Sequence, residues 1–160
     1  MHRALFLTPV VALIGLTVWT ATASAQEDPA LVLLRFQDAR NRGDMESAMA
    51  LVAPDLVYIG GPTCPPESPC LGTEALRHDL QQFSADQEYS STAAGPDVSG
   101  MTVRVMFASQ SPGRSAIGLD RTLSDVTATV QDGQLTSWRS VSLWTDPQTA
   151  WWLDHQAALR

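Results

Sequence analysis

From Tyr89 onward the apolar residues stop recurring every three or four positions and begin to alternate, and this change of period most constrains the fold. The runs Tyr89 to Ala93, Met101 to Ala108, Leu119 to Val130 and Leu135 to Trp144 read as strands. They are separated by Pro96-Asp97-Val98-Ser99-Gly100, by Ser111-Pro112-Gly113 and by Asp132-Gly133, the last being a strong hairpin signal. Val103, Val105 and Phe107 share one face of their strand, and Val126, Ala128 and Val130 share one face of the next. One side of the sheet is therefore apolar and needs a cover.

The first half of the chain supplies that cover as helices. Pro29 suits a first helical turn, and Leu31, Val32, Leu33, Leu34, Phe36 and Ala39 make a helix apolar on most of its circumference, ended by Gly43. Asp44 is placed to cap a second helix in which Met45, Ala48, Met49 and Val52 follow helical spacing until Pro54. Asp55 to Ile59 reads as a short strand closed by Gly60-Gly61-Pro62. A third helix follows Gly72-Thr73, with Leu76, Leu80 and Phe83 as its inward stripe, and Asp146-Pro147 opens a last one carrying Trp151, Trp152 and Leu153. Ser111 through Ser115 reads as a polar rim loop. The expected architecture is α+β, in one domain spanning residues 26–160.

Composition bears on compartment and partners. Arg3, an apolar stretch of fifteen positions from Leu5 to Trp19 and then Ala23-Ser24-Ala25 follow the order of a secretory signal over residues 1–25, with cleavage near Ala25. That stretch is shorter than the roughly 18 apolar residues a membrane span needs. The expected product is exported, to periplasm or medium, and free of the membrane after processing. In such a compartment Cys64 and Cys70 read as a disulfide that clips one proline-rich loop. The net charge of −7 argues against nucleic acid as a partner. All ten basic residues are Arg, so lysine Schiff-base and Walker-type chemistry drop out. No phosphate-cradling glycine loop, dinucleotide fingerprint or metal-ligand spacing is present, so no cofactor and no metal are expected.

The order helix, corner, helix, strand, loop, helix and meander resembles the SnoaL-like (polyketide-cyclase-like) branch of the nuclear transport factor 2-like superfamily. The residues that carry the resemblance are Arg42-Gly43-Asp44, Ala53-Pro54-Asp55, the Cys64 to Cys70 loop with Leu71-Gly72, Gly118-Leu119-Asp120-Arg121, and Val130 through Leu135. It covers most of residues 29–145. It implies a strongly curved antiparallel β-sheet wrapped around three N-terminal helices, a cone-shaped cavity between them and, frequently, a homodimer through the outer face of the sheet. Members include isomerases, dehydratases, epoxide hydrolases, cyclases and modules without activity, so function must be argued from the cavity itself.

Three residues stand as catalytic candidates. Asp120 and Arg121 place a carboxylate beside a guanidinium, though neighbours on a strand face opposite ways and only one of them can enter the cavity. An exposed ion pair is the competing reading, and Arg121 with Asp125, or Arg104 from the neighbouring strand, poses the same choice. Tyr58 could aim its hydroxyl at a ligand carbonyl, which requires a nearby acid with a raised pKa; packing with a backbone partner is the alternative. His78 lies about 200° around its helix from Leu76, on the solvent side. Trp138, Phe107, Val105 and Phe36 are the candidate walls for a small apolar or aromatic ligand. The expected function is thus a hydrophobic-cavity binding protein, with cofactor-free acid–base catalysis as its enzymatic form and a non-catalytic interaction module as the alternative.

Overall fold

The computed structural model of the chain describes residues 27–60 and 64–158. The signal sequence expected over residues 1–25 lies outside them. Five α-helices, α1 (Pro29–Asn41), α2 (Met45–Ala50), α3 (Glu74–Ala85), α4 (Pro112–Ala116) and α5 (Pro147–His155), accompany six strands. The strands are β1 (Val52–Ile59), β2 (Cys70–Leu71), β3 (Tyr89–Ser99), β4 (Thr102–Gln110), β5 (Thr122–Gln131) and β6 (Gln134–Ser142). The architecture is α+β, as the periodicity implied.

The sheet is open and ordered β2-β1-β6-β5-β4-β3. Its neighbours run antiparallel except β1 and β6, which are parallel, with Tyr58 opposite Trp138. This parallel seam adds the N-terminal strand to the β6 side of the C-terminal meander, between β6 and β2. The β5–β6 turn is the Asp-Gly hairpin anticipated from sequence, with positive φ at both Asp132 (51°) and Gly133 (75°). β3 runs on through Pro96 to Ser99 instead of stopping at Ala93. It is an edge strand, where a missing backbone donor disrupts no ladder, and its pairing with β4 shifts register around Ala94. Gly95 in that bend has φ +87°, and a Cβ there would come within 2.9 Å of the Arg104 carbonyl oxygen.

The apolar faces meet as expected. Val103, Val105 and Phe107 of β4, with Val126, Ala128 and Val130 of β5, are buried against Val32, Leu33 and Phe36 of α1. On β6, Leu135 and Trp138 both point inward although three positions apart, because the β5–β6 register shifts between Thr129 and Val130. The α1 helix begins where Asp28 accepts from the Ala30 amide (2.9 Å) and Pro29 fills the first turn. Asp44 caps α2 through the Ser47 amide (3.0 Å), and Asp146 caps α5 through the Thr149 amide (2.9 Å). Other boundaries also differ from the sequence reading, β5 beginning at Thr122 and β6 ending at Ser142 among them. Val52 belongs to β1, opposite Leu135, because sheet pairing overrides its helical spacing after Met49. The segment after Ser111 is the short helix α4, capped by the Ser111 hydroxyl on the Arg114 amide (3.4 Å).

Cys64 and Cys70 are joined in a disulfide, with Cα atoms 5.5 Å apart. The bond is consistent with an exported protein. No helix among the described residues is long and apolar enough to cross a membrane.

Candidate active site

A cavity of about 300 Å³ opens between α3, the inner face of the sheet and α5. Leu76, Leu80, Phe83, Phe107, Val126, Trp138 and Trp152 form its apolar wall. Arg40, Tyr58, Asp79, Glu88 and Arg114 enter the same space, with Ser109, Ser124, Ser140 and Ser142 along the strands. The pocket is therefore more polar than the apolar hollow expected from sequence. The reason is strand parity: on β6 the positions that follow Trp138 inward are Ser140 and Ser142, and on β5 Ser124 precedes Val126.

At its centre Tyr58, only 4% exposed, donates its hydroxyl hydrogen to Oδ2 of Asp79. β1 presents Tyr58 inward at the parallel seam, while α3 carries Asp79 down between the apolar side chains that anchor it. Asp79 forms no ion pair with any described residue. Burial holds its carboxyl above the ordinary carboxylate range, against the opposing pull of the Tyr58 hydrogen bond and nearby His78. Burial, followed by the Asp79 charge, likewise pushes the Tyr58 hydroxyl well above its usual value. Asp79 is thus an acid with a raised pKa held beside the Tyr58 hydroxyl.

Two arginines flank this pair. Arg114, on α4, is bound to Glu88 at 2.6 Å in a largely buried ion pair, and its guanidinium lies 5.6 Å from the Trp152 ring centre. Arg40, near the end of α1, lies over the Phe83 ring at 4.1 Å and donates to the Ser90 hydroxyl at 2.5 Å. Burial pulls its pKa down to about 10, with Glu88 and Tyr58 acting in the opposite direction. Ser90 is further held by Gln37 and by Asn41, whose amide donates to its carbonyl at 2.7 Å. No group of three or more His, Cys, Asp or Glu among the described residues is arranged to hold a metal ion.

The sequence candidates divide. Tyr58, Trp138 and Phe107 line the cavity. Phe36 and Val105 sit behind it in the core, Phe36 with its ring centre 5.2 Å from that of Trp138. Asp120 and Arg121 lie outside it. The Asp120 and Arg121 amides both donate to Gln148 Oε1 (3.0 and 3.2 Å), and the Arg121 guanidinium approaches Asp146 at 3.7 Å. Their position at the approach to β5, beside the N-terminus of α5, directs both outward. Arg104 and Asp125 pair across the exposed side of β4 and β5. His78 is exposed at the rim.

Asp79, Arg40, Glu88 and Arg114 were not singled out by sequence reasoning. A signal existed for the first two. Asp79 falls three residues after Leu76 and four before Phe83, on the buried side of α3, and Arg40 falls four after Phe36 on the core side of α1. A charged residue in register with a buried stripe is the pattern that would have found them. Glu88 and Arg114 belong to a turn and a five-residue helix, where no periodicity exists to read.

No family model and no curated protein matches the chain. Solved structures do. The wild-type IdmH of Streptomyces antibioticus, a polyketide cyclase candidate, superposes with a TM-score of 0.61 at 19% identity over 72% of this chain and 92% of that one. An LEH-like epoxide hydrolase of M. tuberculosis matches with a TM-score of 0.59 at 16% identity over 82% and 96% of the two chains. An NTF2-like protein of unknown function from Cytophaga hutchinsonii matches with a TM-score of 0.58 at 14% identity over 76% and 96%. Likeness at such identities reaches the backbone and not the chemistry, and on it the chain has the nuclear transport factor 2-like fold.

Proposed function

We propose that the protein is a cofactor-free acid–base enzyme that moves a proton on a small organic ligand held in the α3-sheet cavity. The reading rests on one observation, the hydrogen-bonded Tyr58–Asp79 pair in the cavity wall, with Asp79 in no ion pair with a described residue. Oδ2 is occupied by the tyrosine hydroxyl, so Oδ1 is the basic oxygen. A carboxylate with a raised pKa is a stronger base than an ordinary aspartate and holds the proton more readily once it has taken it. The apolar wall of Phe107, Val126 and Trp138 excludes water from one side of the ligand and strengthens the electrostatics on the other. The cavity remains open and is not filled by its own Trp and Leu side chains, which favours a ligand site over a purely structural module. Export, proposed from the leader sequence and the disulfide, places this chemistry outside the cytoplasm.

Deuterium exchange into the α-carbon of 2-tetralone, followed by proton NMR in deuterated buffer, tests proton abstraction without knowledge of the native substrate. The wild-type protein accelerates the exchange and Asp79→Asn lowers the rate by about a hundredfold or more, the range general acid–base groups contribute. An Asp79→Asn variant that exchanges as fast as wild type removes Asp79 from the mechanism.

A further inference from the structure

Of the two arginines that line the cavity, Arg40 is the one without an ion-pair partner among the described residues. Its guanidinium is covered on one side by Phe83, makes one hydrogen bond to the neutral Ser90 hydroxyl, and forms no ion pair with any described residue. Its Nε is buried and without a hydrogen-bond partner. An unpaired cation removed from water carries a large desolvation cost, which an anion brought within hydrogen-bond reach offsets. Of the carboxylates that line the cavity, Glu88 pairs with Arg114 and Asp79 is bound to Tyr58, while the exposed Asp86 forms no ion pair with Arg40. We infer that Arg40 is a ligand-anchoring residue and that the cavity takes an organic acid, its carboxylate seated on the Arg40 guanidinium and its apolar body against Phe107, Trp138 and Trp152. A planar guanidinium offers parallel donors that match the two oxygens of a carboxylate, which a neutral carbonyl group cannot accept with equal strength.

The assignment deepens the acid–base reading and rests on the same cavity, but its test reads binding and not turnover. The probes are 2-naphthoate and its neutral isostere 2-naphthamide, titrated by calorimetry at pH 7. Wild type is expected to bind naphthoate about tenfold or more tightly than naphthamide, as one charge-assisted contact provides. Arg40→Met abolishes that preference while leaving naphthamide affinity within about threefold, and Asp79→Asn retains the preference. Equal affinities of wild type for the two probes, or binding of neither at millimolar concentration, overturn the assignment whether or not Arg40→Met folds. Persistence of the preference in a protein that does not exchange 2-tetralone defeats the catalytic reading alone; exchange without the preference defeats the anion site alone.

Discussion

Replacing Tyr58 by Phe deletes a single oxygen from the centre of the cavity and leaves the ring in place. The lost interaction is a hydrogen bond to a half-buried carboxylate. Such bonds contribute about 1.5–3 kcal/mol when the acceptor is charged and about 0.5–1.5 kcal/mol when it is neutral. The difference, about 1–1.5 kcal/mol, falls on the ionised form of Asp79 alone, so its proton affinity rises by close to tenfold. A carbon-13 NMR titration of the Asp79 carboxyl in both proteins reads this as a higher midpoint in Tyr58→Phe. Stability carries the same sign. Because the folded-state pKa of Asp79 is raised, its contribution to stability is fully present below the unfolded carboxyl value of about 3.9 and is lost as pH rises through the folded value. Asp44, Asp125 and Asp146, whose values are lowered, act oppositely and lose their contribution as pH falls, but both proteins share them. Tyr58→Phe is therefore more destabilised relative to wild type at pH 7 than at pH 3.5 in urea titrations. An Asp79 midpoint that stays put or falls in the variant refutes the electrostatic account of the pair.

Three further outcomes follow from packing and charge. Arg114→Ala leaves Glu88 without its cation and lowers stability by about 3–5 kcal/mol, whereas the double variant Arg114→Met with Glu88→Gln recovers most of the loss; urea midpoints measure both. Trp138→Ala vacates space against Phe36 and costs about 3–5 kcal/mol by the same assay. Cys64→Ser with Cys70→Ser opens a loop of six-residue separation and costs about 2 kcal/mol, read as a lower thermal midpoint that reducing agent reproduces in the wild type.

Local chemistry was legible in the sequence because each signal acts within one turn or one strand. Pro29, Asp44 and Asp146-Pro147 mark helix starts through side chains that act only on their own first turn. Asp132-Gly133 names its hairpin because the turn it makes requires positive φ at consecutive residues. The alternation of β4 and β5 identified the inner face of the sheet for the same reason, since the side-chain period of a strand is a property of the backbone.

The site needed tertiary structure because its parts lie on different elements that meet only through long-range pairing. Tyr58 reaches the cavity through the parallel β1–β6 seam, a partnership that nothing in either strand specifies, and it finds Asp79 twenty-one residues away on α3. Asp120 and Arg121, the more conspicuous pair in the sequence, precede β5 instead of lying on it, and both sit at the surface beside Gln148 and Asp146. Sequence alone determined which residues are apolar, which turns are tight and where helices begin, all short-range matters of sterics and capping. Only the packed structure decided which charges lose their water, because desolvation depends on every element that closes over a residue at once.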